Sequence, residues 1–139
     1  MAWEHGVLDL GQFAASSDYN DAADQFCIVR MTTGLTWVKT SAVSDNCLGV
    51  LQDRPSSGIA ANVRVLGVSK VRCSATTHTA IVPGTKLTGG VGGGAMPSTV
   101  LTANVLGVSL TALAANTTGI INLLLLHRGA GSSAAGTGA

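Results

Sequence analysis

Few residues in this chain could act as nucleophiles, general bases or metal ligands, and their spacing brings none of them together. The three cysteines form no C-x-x-C pair, and no histidine stands at metal-ligand spacing from a cysteine or from another histidine. We therefore predict no metal site and no cofactor, and we expect reduced thiols packed inside the fold. The residues concerned are Cys27, Cys47 and Cys73, with His5, His78 and His127.

Two glycine-containing motifs invite a catalytic interpretation but lack the residues that it needs. A phosphate-binding loop has the pattern G-x-x-x-x-G-K-[ST], whereas the glycine cluster at 89–94 is followed by AMP and predicts a surface loop. The segments GVSK at 67–70 and GVSL at 107–110 lack the second glycine of a G-x-S-x-G nucleophile turn. We predict no catalytic residues. A small hydrolase that uses distant residues such as His78 and Asp53 stays open as a further hypothesis.

Composition restricts the classes of partner. The chain has 139 residues, 11% of them charged, and a net charge of +1. This length allows one domain, and this charge offers no general surface for the phosphates of nucleic acid. The longest apolar run, 120–126, is interrupted by Asn122 and is shorter than the roughly 20 residues that cross a bilayer. We therefore expect neither nucleic acid nor a membrane as a partner, and the amino end lacks the pattern of an export signal.

The charges divide the chain into two parts. Residues 1–24 hold five Asp or Glu and no Lys or Arg, a charge of −5, while the rest holds all 8 basic residues against two acidic ones, a charge of +6. We expect an extended N-terminal arm over 1–25 and a β-domain over 26–128. The composition of 129–139 predicts a flexible Gly/Ser/Ala tail.

Apolar alternation and turn residues predict an all-β fold. The run 62–74 alternates apolar with polar residues, as in a strand with one buried face, and Gly67 marks a bend or a bulge in it. A TTG loop joins the first two strand-like runs and predicts a hairpin. The segment 89–98 is too rich in glycine to predict a regular element. The predicted strands cover 26–31, 35–39, 47–51, 62–74, 104–110 and 119–127.

Two sets of apolar residues could contact another chain. The arm holds three of the five aromatic residues without a helical or strand period, so its apolar side chains either bind a partner or cover the body of their own subunit. The run 120–126 is apolar on both faces, which indicates a central strand covered on both sides or a strand in a subunit interface. The candidate partner contacts are Trp3, Val7, Leu8, Phe13 and Tyr19, and the candidate interface residues are Ile121, Leu123 and Leu125.

A short motif occurs twice. Leu-Gly-Val at 48–50 precedes a loop of small residues and the strand that opens at Asn62. Leu-Gly-Val at 106–108 precedes a similar loop and Asn122, so the distance along the chain from the motif to the asparagine is nearly the same in both places. This pattern fits two similar β-units that close one barrel or sandwich. It equally fits chance in a chain rich in these residues.

Six segments follow one another in a characteristic order. They are G-x-x-x-L-G-Q-F-A-A from Gly6, a hydrophobic strand, D-N-C-L-G-V-L from Asp45 with a P-x-x-G loop after it, N-V-R-V-L-G-V from Asn62, I-V-P-G-T-K-L from Ile81, and the apolar strands from Val105 to Leu125. In this order the chain resembles the capsid decoration, or cement, proteins of tailed bacteriophages. The resemblance covers about residues 6–126 and is carried by small and apolar residues. The sequence departs from the family in PGTK, where the family often has an acidic residue after the glycine.

The resemblance implies a fold, a partner and a location. It implies a small β-barrel or β-tulip-like single domain that docks on the outer surface of the mature icosahedral head, commonly as a homotrimer, after assembly in the host cytoplasm. A protein that binds only the mature lattice stabilises it by mass action. The arm residues would then contact the major capsid protein or a neighbouring decoration subunit. The alternative is a phage surface or fibre-like host-binding module, which should present an exposed aromatic or charged patch.

Overall fold

The fold was analysed in a computed structural model, which describes residues 7–75, 78, 80–98 and 104–123. Within these residues the chain forms nine β-strands, one turn of 3-10 helix at Val91–Gly93 and no α-helix, which confirms the all-β prediction. None of the described helical residues forms a segment long and apolar enough to cross a membrane. The strands are β1 Leu8–Leu10, β2 Ile28–Met31, β3 Trp37–Lys39, β4 Gly49–Leu51, β5 Val63–Arg72, β6 Lys86–Gly89, β7 Ala95–Pro97, β8 Gly107–Ser109 and β9 Thr118–Leu123.

All strand pairs are antiparallel, and they form one curled sheet. The order is β3-β2-β4-β5-β9-β8-β6-β7, and β1 pairs with the first part of β5. The predicted hairpin at 26–39 is confirmed as β2 and β3. The predicted alternation in β5 is also confirmed, because its odd-numbered side chains from Val63 to Val71 are buried except at Gly67, which has a positive φ of 96°.

The strand pairs repeat with a constant shift along the sequence. Adding 58 to both residue numbers of each described pair in β2–β3, β2–β4 and β4–β5 gives a pair in β6–β7, β6–β8 and β8–β9. Val29 opposite Lys39, for example, corresponds to Leu87 opposite Pro97. The chain is therefore built from two units, which we call unit 1 (8–65) and unit 2 (66–123). Strand β5 runs through the boundary and belongs to both.

Each unit curls until its outer strands meet. In unit 1 a parallel bridge joins Ala15, which follows β1, to Trp37 of β3. In unit 2 the corresponding bridge joins Cys73, which follows β5, to Ala95 of β7. Each unit thus approaches a small five-stranded barrel, and this agrees with the barrel-like architecture that the sequence predicts.

The two units fill their interiors differently. The interior of unit 1 holds its own Trp37, Tyr19 and Val63, and Phe13 packs against this cluster. Unit 2 has Ala95 where unit 1 has Trp37, and its cluster includes Ile28, Cys47 and Val50 from unit 1. The three cysteines are free and buried, as predicted. Because residues of unit 1 complete the core of unit 2, the two units pack as one body.

Two sequence expectations need correction. The two Leu-Gly-Val segments do mark two β-units. The residue equivalent to Asn122 is Arg64 and not Asn62, however, because the motif and the strand that pairs with it are both shifted by 58 residues. The segment 89–98 is regular in part, since it contains the 3-10 turn and β7. Its glycines serve close packing: Gly93 and Gly94 are buried against Cys27 and Ser74.

Candidate partner-binding surface

Two of the four described N-terminal residues that we predicted as partner contacts, Phe13 and Tyr19, pack into unit 1. The ring of Phe13 packs edge-on against Trp37 with ring centroids 6.1 Å apart. Tyr19 is buried, and its hydroxyl accepts a hydrogen bond of 3.3 Å from the backbone N–H of Lys39. Residues 7–25 therefore pack on the sheet instead of extending away from it. Of the two interpretations that the sequence left open for these aromatic residues, the structure agrees with the one in which they cover their own subunit.

An ion pair fastens the end of this N-terminal segment. The ammonium of Lys39 contacts the carboxylate of Asp24 and lies 5.2 Å from the centre of the Tyr19 ring. Partial burial on its own lowers the pKa of Lys39, but the hydrogen bond from its ammonium to Asp24 and the charges of the neighbouring groups together outweigh this, so the pKa is raised. Lys39 therefore stays charged at neutral pH and holds the segment in place.

The exposed part of the predicted contact set is its first two described residues. Val7 and Leu8 are exposed, and Leu8, 48% exposed, lies opposite the half-buried Leu66 of β5. Two residues further along β5, Val68 is 49% exposed. We call Val7, Leu8, Leu66 and Val68 the β1–β5 strip. It is an apolar surface at the boundary of the two units, and such surfaces on small proteins commonly mark binding sites.

A salt bridge borders the strip and fixes its geometry. The guanidinium of Arg64 donates two hydrogen bonds to the carboxylate of Asp9, at 2.7 and 3.1 Å, and a third to the carbonyl oxygen of Val68 at 3.0 Å. The hydrogen bonds from Arg64 hold the pKa of Asp9 below its usual value. Strand β1 is thereby fastened to β5 through side chains as well as through the backbone.

The predicted subunit interface falls on residues that the chain itself buries. Ile121 and Leu123 lie on β9, between β5 and β8, and both are buried in the core of unit 2. This position agrees with the interpretation of 120–126 as a central strand. An interface is not needed to explain the burial of these two residues, and their role in an oligomer stays a prediction. Trp3 and Leu125, like the tail 129–139, lie outside the described residues.

The sequence reasoning missed Leu66 and Val68, although a signal for them was present. Even-numbered side chains of β5 face outward, and Arg64, Lys70 and Arg72 fit that polar face. Leu66 and Val68 break the alternation, because they are apolar residues on the outward face. An interruption of this kind in a strand with a clear period indicates a surface that is kept for contact.

The described residues bring one cysteine and one histidine together. The sulfur of Cys73 lies 3.1 Å from Nε2 of His78, a geometry that a thiol nucleophile with a base could adopt. Cys73 is only 1% exposed, and burial raises the pKa of its thiol. A protonated and inaccessible thiol is a poor nucleophile. Among the described residues, no group of three His, Cys, Asp or Glu side chains could hold a metal ion.

A shallow cleft of about 370 Å³ lies where the two units meet. Unit 1 contributes Asp24, Cys27 and Lys39 to its lining, and unit 2 contributes Arg72 and Asn116. Its described walls carry a single carboxylate, which Lys39 already pairs, so they do not offer the two carboxylates of an acid–base pair. The lining of the cleft mixes these charged and polar side chains with small apolar residues, among them Ala23, Ala75 and Val91.

Comparisons with known proteins bear on the fold. The sequence matches no protein-family model and no curated protein. Among solved structures, the chain is similar to the N base of the head fiber protein gp8.5 of bacteriophage phi29, with 12% sequence identity and a TM-score of 0.51. The match covers 85% of this chain and 94% of that chain. At this level of identity the likeness shows that the two chains share their β architecture across both units.

Proposed function

We propose that this protein is a structural component of a tailed-phage head, and specifically a decoration protein that binds the outer surface of the mature capsid and links neighbouring capsomers. The observation that carries the proposal is the shared fold, which extends over almost the whole of a phage head fiber base. The order of sequence segments that resembles the decoration family supports the same conclusion. We propose the major capsid protein as the partner and a non-enzymatic role.

The β1–β5 strip is the surface that fits this role best among the described residues. It combines two exposed aliphatic side chains, Leu8 and Val68, with the half-buried Leu66 on a rigid strand pair. Burial of apolar surface on a preorganised element contributes to affinity with little loss of conformational entropy. The arginine–aspartate pair beside the strip can add polar contacts at its rim.

The test is co-sedimentation of the purified protein with expanded, undecorated heads of the phage whose genome encodes it. We expect saturable binding at a fixed number of copies per major capsid protein. The double variant Leu8→Ser with Val68→Ser should weaken binding at least tenfold. Val82→Ser is the matched control, because Val82 is also exposed but lies in another part of unit 2. Wild-type protein that does not bind these heads would refute the proposal.

Deleting residues 1–20 is not a clean test of this surface. That deletion removes β1 together with Phe13 and Tyr19, which belong to the interior of unit 1, so loss of binding would accompany loss of the fold. Deletion of residues 1–6 leaves every contact described above in place. Comparing this short deletion with the full chain asks whether Trp3 contributes to capsid binding.

A second candidate function is the base of a fibre that contacts the host. The name of the similar structure, a head fiber base, favours it. Binding of the labelled protein to host cells, with no saturable binding to heads, would support this candidate over decoration. The predicted homotrimer rests on the family resemblance, and sedimentation velocity of the free protein measures it directly.

A further inference from the structure

Equivalent hairpin turns of the two units lie in two different environments. In unit 1 the turn joins β2 to β3: the N–H of Thr32 donates to the carbonyl of Thr36 at 2.9 Å, and the N–H of Leu35 donates to the carbonyl of Thr32 at 3.1 Å. At the equivalent positions of unit 2, Gly90 donates to Gly94 at 2.8 Å and Gly93 donates to Gly90 at 3.2 Å. The two turns therefore share these two hydrogen bonds, but their middle glycines differ, because Gly92 has a positive φ of 67° and its equivalent, Gly34, does not.

In unit 2 this turn is a docking element. The N–H of Gly93 donates to the carbonyl of Thr40 in unit 1 at 2.9 Å, and the hydroxyl of Thr40 donates to the carbonyl of Gly90 at 2.9 Å. Gly93 is buried, and a Cβ at this position would lie 2.8 Å from Cβ of Cys27 and 2.9 Å from the carbonyl oxygen of Ile28. The turn of unit 2 thus seats on unit 1 through a glycine that allows close approach.

In unit 1 the tip of the equivalent turn is exposed, and a leucine replaces the glycine. Leu35 has a φ of 58° and is 61% exposed. A leucine in the left-handed region is strained, and an exposed leucine gains little from burial. The side chains of Thr32 and Thr36 are hydrogen-bonded at 2.8 Å, which adds a side-chain contact to the backbone hydrogen bonds of this turn. Among the residues that the structure describes, neither local conformation nor packing accounts for a leucine at this position.

We propose that the tip of the β2–β3 hairpin docks on the outer surface of the major capsid protein, with Leu35 as the apolar anchor that enters a pocket there. The proposal rests on the proposed function, because it names the partner and adds a second contact site besides the β1–β5 strip. The docked turn of unit 2 seats through a glycine, so the leucine at the unit 1 tip needs a partner surface with room for its side chain. The turn residues 32–36 carry no charge, which fits an uncharged pocket.

A second copy of this chain is a poorer occupant for the Leu35 tip. If one copy docked on the next as unit 2 docks on unit 1, Leu35 would stand where Gly93 stands, and its Cβ would meet the atoms that exclude a Cβ from Gly93. The receiving surface would also differ, because Lys86 in unit 2 is the equivalent of Ile28 in unit 1. Both differences oppose head-to-tail contact through the internal interface.

The test is a substitution that is expected to affect folding and binding in opposite directions. Leu35→Gly relieves the left-handed strain, so its melting temperature should be equal to or higher than that of the wild type. The same variant should bind expanded heads about tenfold or more weakly in the co-sedimentation assay. Leu35→Met keeps an apolar side chain at the tip and should retain binding.

Two further variants complete the test. Val91→Thr is the matched control, because it removes exposed apolar surface from the equivalent turn of unit 2 and gives that turn the residue type of Thr33. It should bind as the wild type does. Leu35→Asn provides a second polar tip in a conformation that asparagine tolerates, so binding can still be judged if the glycine variant loses stability.

The outcomes separate this inference from the proposed function. Wild-type binding with unchanged affinity in Leu35→Gly and Leu35→Asn overturns the anchor and leaves the decoration role standing. Absence of wild-type binding overturns both. A wild-type oligomer that dissociates in Leu35→Gly, measured by sedimentation velocity, assigns the tip to a second copy and overturns the capsid as its partner.

Discussion

Replacing Gly93 by alanine should destabilise the chain far more than the same change at the adjacent Gly92. Both glycines have a positive φ, 76° and 67°, so either substitution incurs the left-handed penalty of about 1–2 kcal/mol. A Cβ at Gly92 meets nothing within 4 Å, whereas a Cβ at Gly93 lies 2.8 Å from Cβ of Cys27. Forced contacts of this kind in a packed interior cost about 1–3 kcal/mol more. We therefore expect the free energy of unfolding to fall by about 2–5 kcal/mol in Gly93→Ala and by about 1–2 kcal/mol in Gly92→Ala.

The assay is equilibrium unfolding in urea, monitored by far-UV circular dichroism. With a typical slope of about 2 kcal/mol per molar urea, the two variants should differ in midpoint by about 0.5–1.5 M. The smaller entropy of the unfolded chain when glycine becomes alanine is common to both variants and cancels in the comparison. Equal midpoints for Gly92→Ala and Gly93→Ala would refute the close packing of the two units at this turn.

Three shorter predictions follow from the described contacts. Trp37→Ala, at a fully buried position, should lower the free energy of unfolding by about 3–5 kcal/mol in the same urea assay. Asp9 and Asp45 have lowered pKa values: hydrogen bonds from Arg64 lower that of Asp9, while at Asp45 hydrogen bonds from Ser41 and Ala42 outweigh the opposing effect of burial. The stabilisation from each ionised carboxylate is complete above the unfolded pKa of about 3.9 and is lost as the pH falls through the lower pKa of the folded state. The wild-type melting temperature should therefore fall between pH 4 and pH 2, and this fall should be smaller in Asp9→Asn and in Asp45→Asn. Cys27, Cys47 and Cys73 should react with a thiol reagent only at the rate of unfolding, and fast labelling of any of them in the native protein would contradict their burial.

The sequence was sufficient to predict six of the nine strands, because period-two alternation depends on local residue order, but it did not predict β1, β6 or β7. The run 62–74 shows that order plainly, and β5 lies within it. The same reasoning could not assign Phe13 and Tyr19, since an aromatic residue without a period is equally consistent with a partner and with its own core. Their place depends on the cavity around Trp37, which forms only when distant strands meet.

The repeat of the two units was only partly visible in the sequence because packing makes the units different. Gly49 and Gly107 are present at equivalent positions, and in each unit a Cβ there would collide with the neighbouring strand. Trp37 and Ala95, by contrast, occupy equivalent positions with very different volumes, because unit 2 fills its interior with side chains of unit 1. The repeat is therefore kept where two strands approach closely and is lost where the two interiors are filled differently.

This shared interior predicts that the two units unfold together. Ile28, Cys47 and Val50 of unit 1 are buried in the cluster that holds the core of unit 2, so opening either unit exposes apolar surface of both. In a Trp3→Phe background, fluorescence reports Trp37 in unit 1 alone, and hydrogen exchange of β9 amides reports unit 2. We expect both probes to give one midpoint in urea. Two separate midpoints would mean that unit 2 keeps its fold when unit 1 has unfolded. The side chains of unit 1 would then not be the reason that unit 2 can have Ala95 where unit 1 has Trp37.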